Sequence, residues 1–295
     1  YQMDARLSDA EKVFIMHGVQ EGLRNDGRSC GDYRPMWVER GVLSTTDGSS
    51  RVRIGDTDVL CGVKCELVEC EDSSKETERL VFSVDCSANA TPQFIGKGGD
   101  EYAEELADAL HFAYDNESVI PDLAKLTLTS THFWRLYVDV VILQYGGSVV
   151  DAASVAAKAA LYDAEIIELV TRPADENKMT VDLPEGGVTW KLDLKSAPLI
   201  STVTKIGSTN VVDVTLEEET CSFASLFVGA SVQKAGAEPL VTMTRQAGGG
   251  SLDAASIDEM IQMGVNAVAR LDTLLMERLA AMEDEHPVPG QTFLS

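Results

Sequence analysis

The stretch WRLYVDVVILQYGGSVVDAASVAAKAAL, Trp134 to Leu161, decides the fold. Its first part puts Trp134, Leu136, Val138, Val140 and Ile142 on one face by alternation and then turns apolar on both faces, the pattern of a strand buried inside a sheet. Two glycines and a serine follow, and an alanine-rich run from Ala152 to about Tyr162 reads as a helix with Asp151 as its N-cap. A strand, a Gly-rich turn and a helix N-terminus make a phosphate cradle, because free backbone N–H groups and the positive end of the helix dipole face whatever sits there. Yet between Gly146 and Ala157 the one charged side chain is Asp151, which a phosphate would meet as a like charge.

Upstream of this block, Ser8 and Glu11 form a capping box that starts a helix through about Gly22, with Val13, Phe14, Met16 and Val19 available for packing. From Val52 to Glu66, two β-rich runs flank IGDTD as a hairpin. The charged ECEDSSKETER reads as a surface loop and LVFSVDCSA as another strand. Asp100 to Tyr114 carries Ala103, Leu106, Ala107, Leu110 and Tyr114 at helical spacing opposite an acidic face.

Downstream, a local pattern recurs. IGDTDVL at Ile54–Leu60 returns as IGSTNVV at Ile206–Val212, and the GGS of Gly146–Ser148 returns at Gly249–Ser251, again ahead of a helix. The order is kept and the intervals differ, which indicates an imperfect duplication with an insertion. Strands are expected at about 188–194, 199–206, 210–214, 222–232 and 239–246, then a long helix from about Asp253 with Ile257, Ile261, Val265, Val268, Leu271, Leu275 and Leu279 along one stripe. Helices alternate with antiparallel hairpins, so the fold class is α+β, built from two related halves: 1–165, a connecting loop region 166–190, and 191–295.

The chain of 295 residues carries 24 Lys and Arg against 48 Asp and Glu, a formal net charge of −24. Such a charge repels polyanions at long range, so strong sequence-independent nucleic-acid binding by the isolated chain is not expected. Cys30, Cys61, Cys65, Cys70, Cys86 and Cys221 are unevenly spaced, form no CxxC pair and are accompanied by four scattered histidines; reduced structural thiols and no metal site are expected. No apolar run is long enough for a membrane helix, and no secretory signal is visible.

The densest carboxylate cluster is VVDVTLEEE, with Asp213 at a strand end followed by Glu217, Glu218 and Glu219. Acidic residues there can hold Mg²⁺ or act as a general acid, and a solvated strand-to-loop junction has the same pattern. Arg51, Arg53 and Lys64, around the first hairpin, are the cations that could contact phosphates of a polyanion; ordinary strand-surface charges look alike.

Taken together, LRNDGR with Tyr33-Arg34 after it, RVRIGDTDVLCGVKCE, DCSANATPQF, GKGGDE, the long block quoted at the outset and TKIGSTNVVDVTLEEE resemble the RNase PH family. Within that family they are similar to the non-catalytic ring subunits of the RNA exosome. The resemblance covers about residues 8–285 in unchanged order. It implies an RNase PH-like fold (ribosomal protein S5 domain 2-like), with two related βα halves around mixed sheets.

Active members carry a Gly-Ser/Thr-Arg sequence at the cradle, whose arginine binds the attacking phosphate. Here Gly147 and Ser148 are kept and Val149 or Val150 stands at the arginine's position, so no side chain neutralises a phosphate. Where active members hold the RNA backbone with arginine, this chain has Lys97 followed by Asp100, Glu101, Glu104 and Glu105. Asp213 and Glu219 match carboxylates of the active family.

The implied function is a non-catalytic wall of the exosome channel in 3′-to-5′ RNA processing and degradation, ribosomal RNA maturation included, with no cofactor. The implied partners are other RNase PH-like subunits in a hetero-hexameric ring, RNA-binding cap subunits and RNA passing through the channel, in nucleus, nucleolus and cytoplasm, and no membrane. The alternative is a phosphate-dependent 3′-to-5′ exoribonuclease, with phosphate at Gly147 and Ser148, Asp213 and Glu219 acting through Mg²⁺, and a partner subunit donating the missing arginine.

Overall fold

Ser8 and Glu11 cap each other as expected at the start of α1 (Asp9–Gln20): the Ser8 N–H donates to Glu11 Oε2 at 2.8 Å and the Glu11 N–H donates to Ser8 Oγ. The computed structural model describes residues 7–70, 78–96, 98–115, 117, 119–173, 179–182, 187–233 and 238–284. Of the apolar residues expected to pack from α1, Val19 is buried and Met16 partly so, while Val13 and Phe14 are exposed; Ile15 takes the inward position instead. The helix rests on a small separate cluster with Ile206, Val211 and Val214, which accommodates only a narrow stripe.

The first sheet contains β1 (Met36–Arg40), β2 (Gly48–Ile54), β3 (Thr57–Glu69), β4 (Leu80–Cys86) and β5 (His132–Gln144), in spatial order β1-β2-β3-β5-β4. β5 pairs antiparallel with β3 and parallel with β4, which makes the sheet mixed and explains why β5 is apolar on both faces. Helix α2 (Asp100–Tyr114) packs on β4 and buries the expected face through Leu106, Leu110 and Tyr114. The bulk of the charged loop (71–77) lies outside the described residues, as does Lys97.

Helix α3 (Val149–Asp163) begins three residues before the expected Ala152. Ser148, not Asp151, is its N-cap residue, and Ser148 makes no side-chain cap. Its left-handed backbone, φ 50°, turns the chain into the helix early, so Asp151 falls inside the first turn and its carboxyl is directed into the protein. Every residue from Val149 to Leu161 is buried, because α3 packs against β2 and β3 on one side and against the second sheet on the other. Small alanines permit that close approach. Lys158, the lone cation of the helix, donates at 2.5 Å both to Ala197 O and to Asp272 Oδ1, satisfying a charge with no solvent access.

The region expected as connecting loop contains short strands: β6 (Ile166–Ile167), β7 (Val170–Pro173), β8 (Met179–Asp182) and β9 (Thr189–Trp190). They pair as β6-β9 and β7-β8, and β9 is all that forms of the strand expected at 188–194. The second sheet comprises β10 (Leu199–Ile206), β11 (Thr209–Val212), then, after α4 (Leu216–Thr220), β12 (Ala224–Ser231) and β13 (Leu240–Ala247). Its order is β11-β10-β12-β13, antiparallel throughout. The final helix, α5 (Ala254–Asp284), packs on β10 and β12.

The hairpin part of the internal repeat is structural as well as textual. Ile54 pairs with Thr57 across Gly55 (φ 55°), and Ile206 pairs with Thr209 across Gly207 (φ 60°), so both copies are two-residue hairpin turns with glycine in a left-handed conformation.

Candidate functional site

Three segments meet at the N-terminal end of α3: the Gly146–Ser148 turn, the Asp213–Leu216 segment after β11, and Tyr33-Arg34 ahead of β1. Gly147 has φ 93°, and a Cβ there would run into the Val214 carbonyl oxygen and the Thr215 backbone, so only glycine fits. Ser148 Oγ donates to Val214 O at 3.2 Å, and the Leu216 N–H donates to Gly146 O at 3.2 Å.

The turn is also held by its carbonyls. Arg34 Nη1 donates to Gly146 O at 2.7 Å and Arg34 Nη2 to Gly147 O at 3.1 Å, while Thr57 Oγ1 donates to Gly147 O at 2.6 Å. A cation therefore stands close to the cradle, engaged from the opposite side, with the turn's carbonyl oxygens rather than with any anion in front of the helix.

The same Arg34 grips Asp213, whose carboxyl is fully buried. Asp213 Oδ1 accepts from Arg34 Nη2 at 2.7 Å, and Oδ2 accepts from Arg34 Nε at 2.9 Å, the Arg34 N–H at 2.6 Å and Arg28 Nη1 at 2.9 Å. Asp213 itself sits at φ 46°, a left-handed conformation that ends β11 at Val212, two residues before the expected strand does, and that aspartate tolerates better than most residues. A parallel clamp joins Arg24 to Glu218: Nε donates to Oε1 at 2.9 Å and Nη2 to Oε2 at 2.6 Å. Glu218 also completes a capping box with Thr215 at the start of α4.

Glu219 faces elsewhere. With Glu105, Tyr102, Tyr145, Ser148, Val149, Val150, Ser225 and others it lines a cavity of about 50 Å³ at the helix end, room for a few waters. Glu219 Oε1 accepts from the Tyr145 hydroxyl at 2.6 Å, and Oε2, out of contact with solvent, has no hydrogen-bond partner. Burial pushes this carboxyl above the usual range, against the Tyr145 hydrogen bond, which favours the charged form. Among the described residues, the cavity lining includes two carboxylates and no Lys, Arg or His.

Beneath the turn, Asp151 Oδ2 accepts from the Tyr33 hydroxyl at 2.7 Å and Oδ1 from the Thr202 N–H at 2.8 Å. Burial drives its pKa up to about 7 in spite of the hydrogen bonds from Thr202 and Tyr33. The Tyr33 phenol is pushed well above its ordinary value, first by burial and then by the Asp151 charge.

Of the site residues expected from sequence, Gly147, Ser148, Val149 and Val150 form one turn, and Glu219 joins Ser148 and both valines around the cavity. Asp213 does not line that cavity; its oxygens are saturated by two arginines and a backbone N–H. The pair therefore does not fit a Mg²⁺ site, and among the described residues no group of three or more His, Cys, Asp or Glu is placed to hold a metal.

The candidate RNA-binding cations carry matched charge. Arg51 and Arg53 both pair with Asp58, at 2.7 and 2.9 Å, and Lys64 pairs with Asp47 at 3.3 Å. All six cysteines are free thiols, and no described helix is long and apolar enough to cross a membrane. Sequence reasoning quoted Arg24, Arg28, Tyr33 and Arg34 without assigning them partners. The Thr215/Glu218 capping box of α4 was a local signal open to it.

These glycines, arginines and carboxylates stand on a mixed five-stranded and an antiparallel four-stranded sheet, an RNase PH-like fold. The model of the 3′ exoribonuclease family, domain 1, matches residues 32–167, and the chain belongs to this family. It is 30% identical, over 92% of its length and 98% of the relative's, to the "Putative exosome complex exonuclease RRP42" of Dictyostelium discoideum. To the exosome complex component Rrp42 of Sulfurisphaera tokodaii it is 34% identical over 71% of this chain and 74% of that one. To that of Methanosarcina acetivorans it is 28% identical over 96% and 99%. In fold it matches a chain of the Archaeoglobus fulgidus exosome with RNA bound to the active site, with TM-score 0.75 over 89% of this chain and 96% of that one at 24% identity. A chain of an archaeal exosome core matches with TM-score 0.73 over 91% and 97% at 23% identity.

Proposed function

We propose that this chain is a non-catalytic, Rrp42-type subunit of the RNase PH-like ring of an RNA exosome. In this role it pairs with related subunits, lies below RNA-binding cap proteins, and helps to wall the channel through which RNA passes for 3′-to-5′ processing and turnover, ribosomal RNA maturation included. Its sites of action are the nucleus, nucleolus and cytoplasm. The observation that carries the non-catalytic reading is the cavity at Val149 and Val150: it is small, its described lining holds Glu105 and Glu219 without a cation, and Arg34 is engaged behind it. Phosphorolysis requires an anionic phosphate at that point, and the described lining offers it no Lys, Arg or His: Glu105 is met from outside the lining by Arg245 at 3.9 Å, and Glu219 brings a further acid.

One observation favours the alternative, a phosphorolytic site completed by a partner's arginine: Glu219 Oε2 is unpartnered at the cavity. The two readings separate in a phosphorolysis assay on single-stranded RNA with phosphate and Mg²⁺, using the chain alone and the ring assembled with its RNase PH-like partners. No nucleoside diphosphate from the chain alone, and a ring rate unchanged by Glu219→Gln, supports the non-catalytic reading. Product from the ring that disappears with Glu219→Gln establishes the shared site.

A further inference from the structure

A groove of about 890 Å³ runs between β1, with the segment before it, and α5. Met36, Trp37 and Val38 all line it. Successive strand residues point to opposite faces of a sheet, so a groove that touches three in a row runs along the strand's edge. β1 is the terminal strand of its sheet, paired to β2 and carrying no strand on its other side among the described residues.

The opposite wall is α5, which presents two adjacent stripes. Ala267, Leu271 and Leu275 are buried and form an apolar floor; Arg270, Leu274 and Arg278, at the same four-residue spacing, are exposed along the rim. Trp37 and Leu274 face solvent from the two lips, 69% and 64% exposed. One end is closed where Arg40 Nη2 donates to Met282 O at 2.9 Å, and towards the other Arg270 meets Asp32 at 3.7 Å.

Charge selects the occupant. The lining holds four arginines, Arg28, Arg34, Arg270 and Arg278, and one carboxylate, Asp32, in a chain where acidic residues outnumber basic ones 48 to 24. Arg28 and Arg34 face Asp213 on their inner side, whereas Arg270 and Arg278 stand exposed at the rim, Arg270 at 3.7 Å from Asp32.

We propose that this groove binds an extended acidic peptide segment of a partner protein by strand addition to β1. Peptide backbone pairs with the free edge, apolar side chains at alternate positions descend to Leu271 and Leu275, and Glu or Asp at the intervening positions meet Arg270 and Arg278. Trp37 covers the segment from the strand side. The proposal rests on the groove and not on the ring assignment.

The test uses the full chain and a fluorescein-labelled nine-residue peptide of alternating glutamate with valine or leucine, followed by anisotropy. Binding that weakens with salt, and weakens about tenfold in Arg270→Glu/Arg278→Glu, is expected from reversing two exposed charges. An unchanged melting curve shows that this double variant is folded. The same peptide N-methylated at alternate residues should lose binding, a readout specific to backbone pairing. Absent binding of the acidic peptide, equal binding of the N-methylated peptide, or no effect of the double variant overturns the proposal. So does preferential binding of a labelled twelve-nucleotide oligouridine, or a dimer in sedimentation velocity that the double variant disperses, which would make RNA or a second copy the occupant.

Discussion

Asp213 precedes the short helix α4 and Glu219 lies within it, and the two have opposite surroundings. Asp213 is wholly buried and receives four hydrogen bonds from Arg34, Arg28 and the Arg34 backbone, each between 2.6 and 2.9 Å. Glu219 receives one side-chain hydrogen bond, from Tyr145, with weaker support from the Ser148 backbone N–H and the Arg34 charge, and its Oε2 is enclosed without a close partner. The first is a charge fully compensated and therefore a structural fastener between β11, the Arg34 segment and the α3 turn. The second is a charge poorly compensated and therefore held towards its neutral form. Two carboxylates alike in residue type are, by surroundings, a clamp and a poorly compensated acid, the bystander of that clamp.

The largest effect follows from breaking the clamp. Arg34→Ala leaves Asp213 buried with Arg28 as its one remaining cation and releases the carbonyls of Gly146 and Gly147, so a loss of about 3–5 kcal/mol is expected in denaturant unfolding. If the variant instead stays within about 1 kcal/mol of the wild type, Asp213 is not the fastener described.

Asp151 sharpens the comparison with a third environment, a buried carboxyl served by two neutral donors. Its pKa is raised from 3.8 to about 7 on folding. Below about pH 4 it is protonated in both states and contributes no pH dependence. Between about pH 4 and pH 7 the unfolded chain releases a proton that the folded chain retains, so the folded state loses on the order of 4 kcal/mol over that interval. Asp151→Asn keeps an acceptor for Thr202 and should flatten this part of the stability profile. A slope identical to wild type would place the titration elsewhere.

What was legible in the sequence follows the range of the interaction. The strand, turn and helix from Trp134 to Leu161 and the two hairpin glycines are written in local periodicity, and the structure contains them. The ion clamps are not local: Arg34 and Arg28 lie 179 and 185 residues before Asp213, and no spacing rule spans such intervals. The left-handed Ser148 is equally silent, since serine seldom takes that conformation, and it carries with it the error over which residue caps α3. The valines at the cradle were readable as a missing cation; that Arg34 stands behind the same turn was not.

The smallest expected effect is the most discriminating. Glu219→Gln retains an oxygen for the Tyr145 hydroxyl while removing a carboxyl whose ionisation burial disfavours. A carboxyl whose pKa is raised on folding stabilises nothing at neutral pH: as pH rises through its folded value, the folded state must either hold the proton or accept an uncompensated charge. The substitution should therefore leave stability near pH 5 within about 1 kcal/mol and raise it relative to wild type towards pH 8. Chemical unfolding at the two pH values reads this directly. A loss at pH 8 comparable to that of Arg34→Ala would mean that the Glu219 charge is matched by a donor after all, and the contrast between clamp and bystander would fall with it.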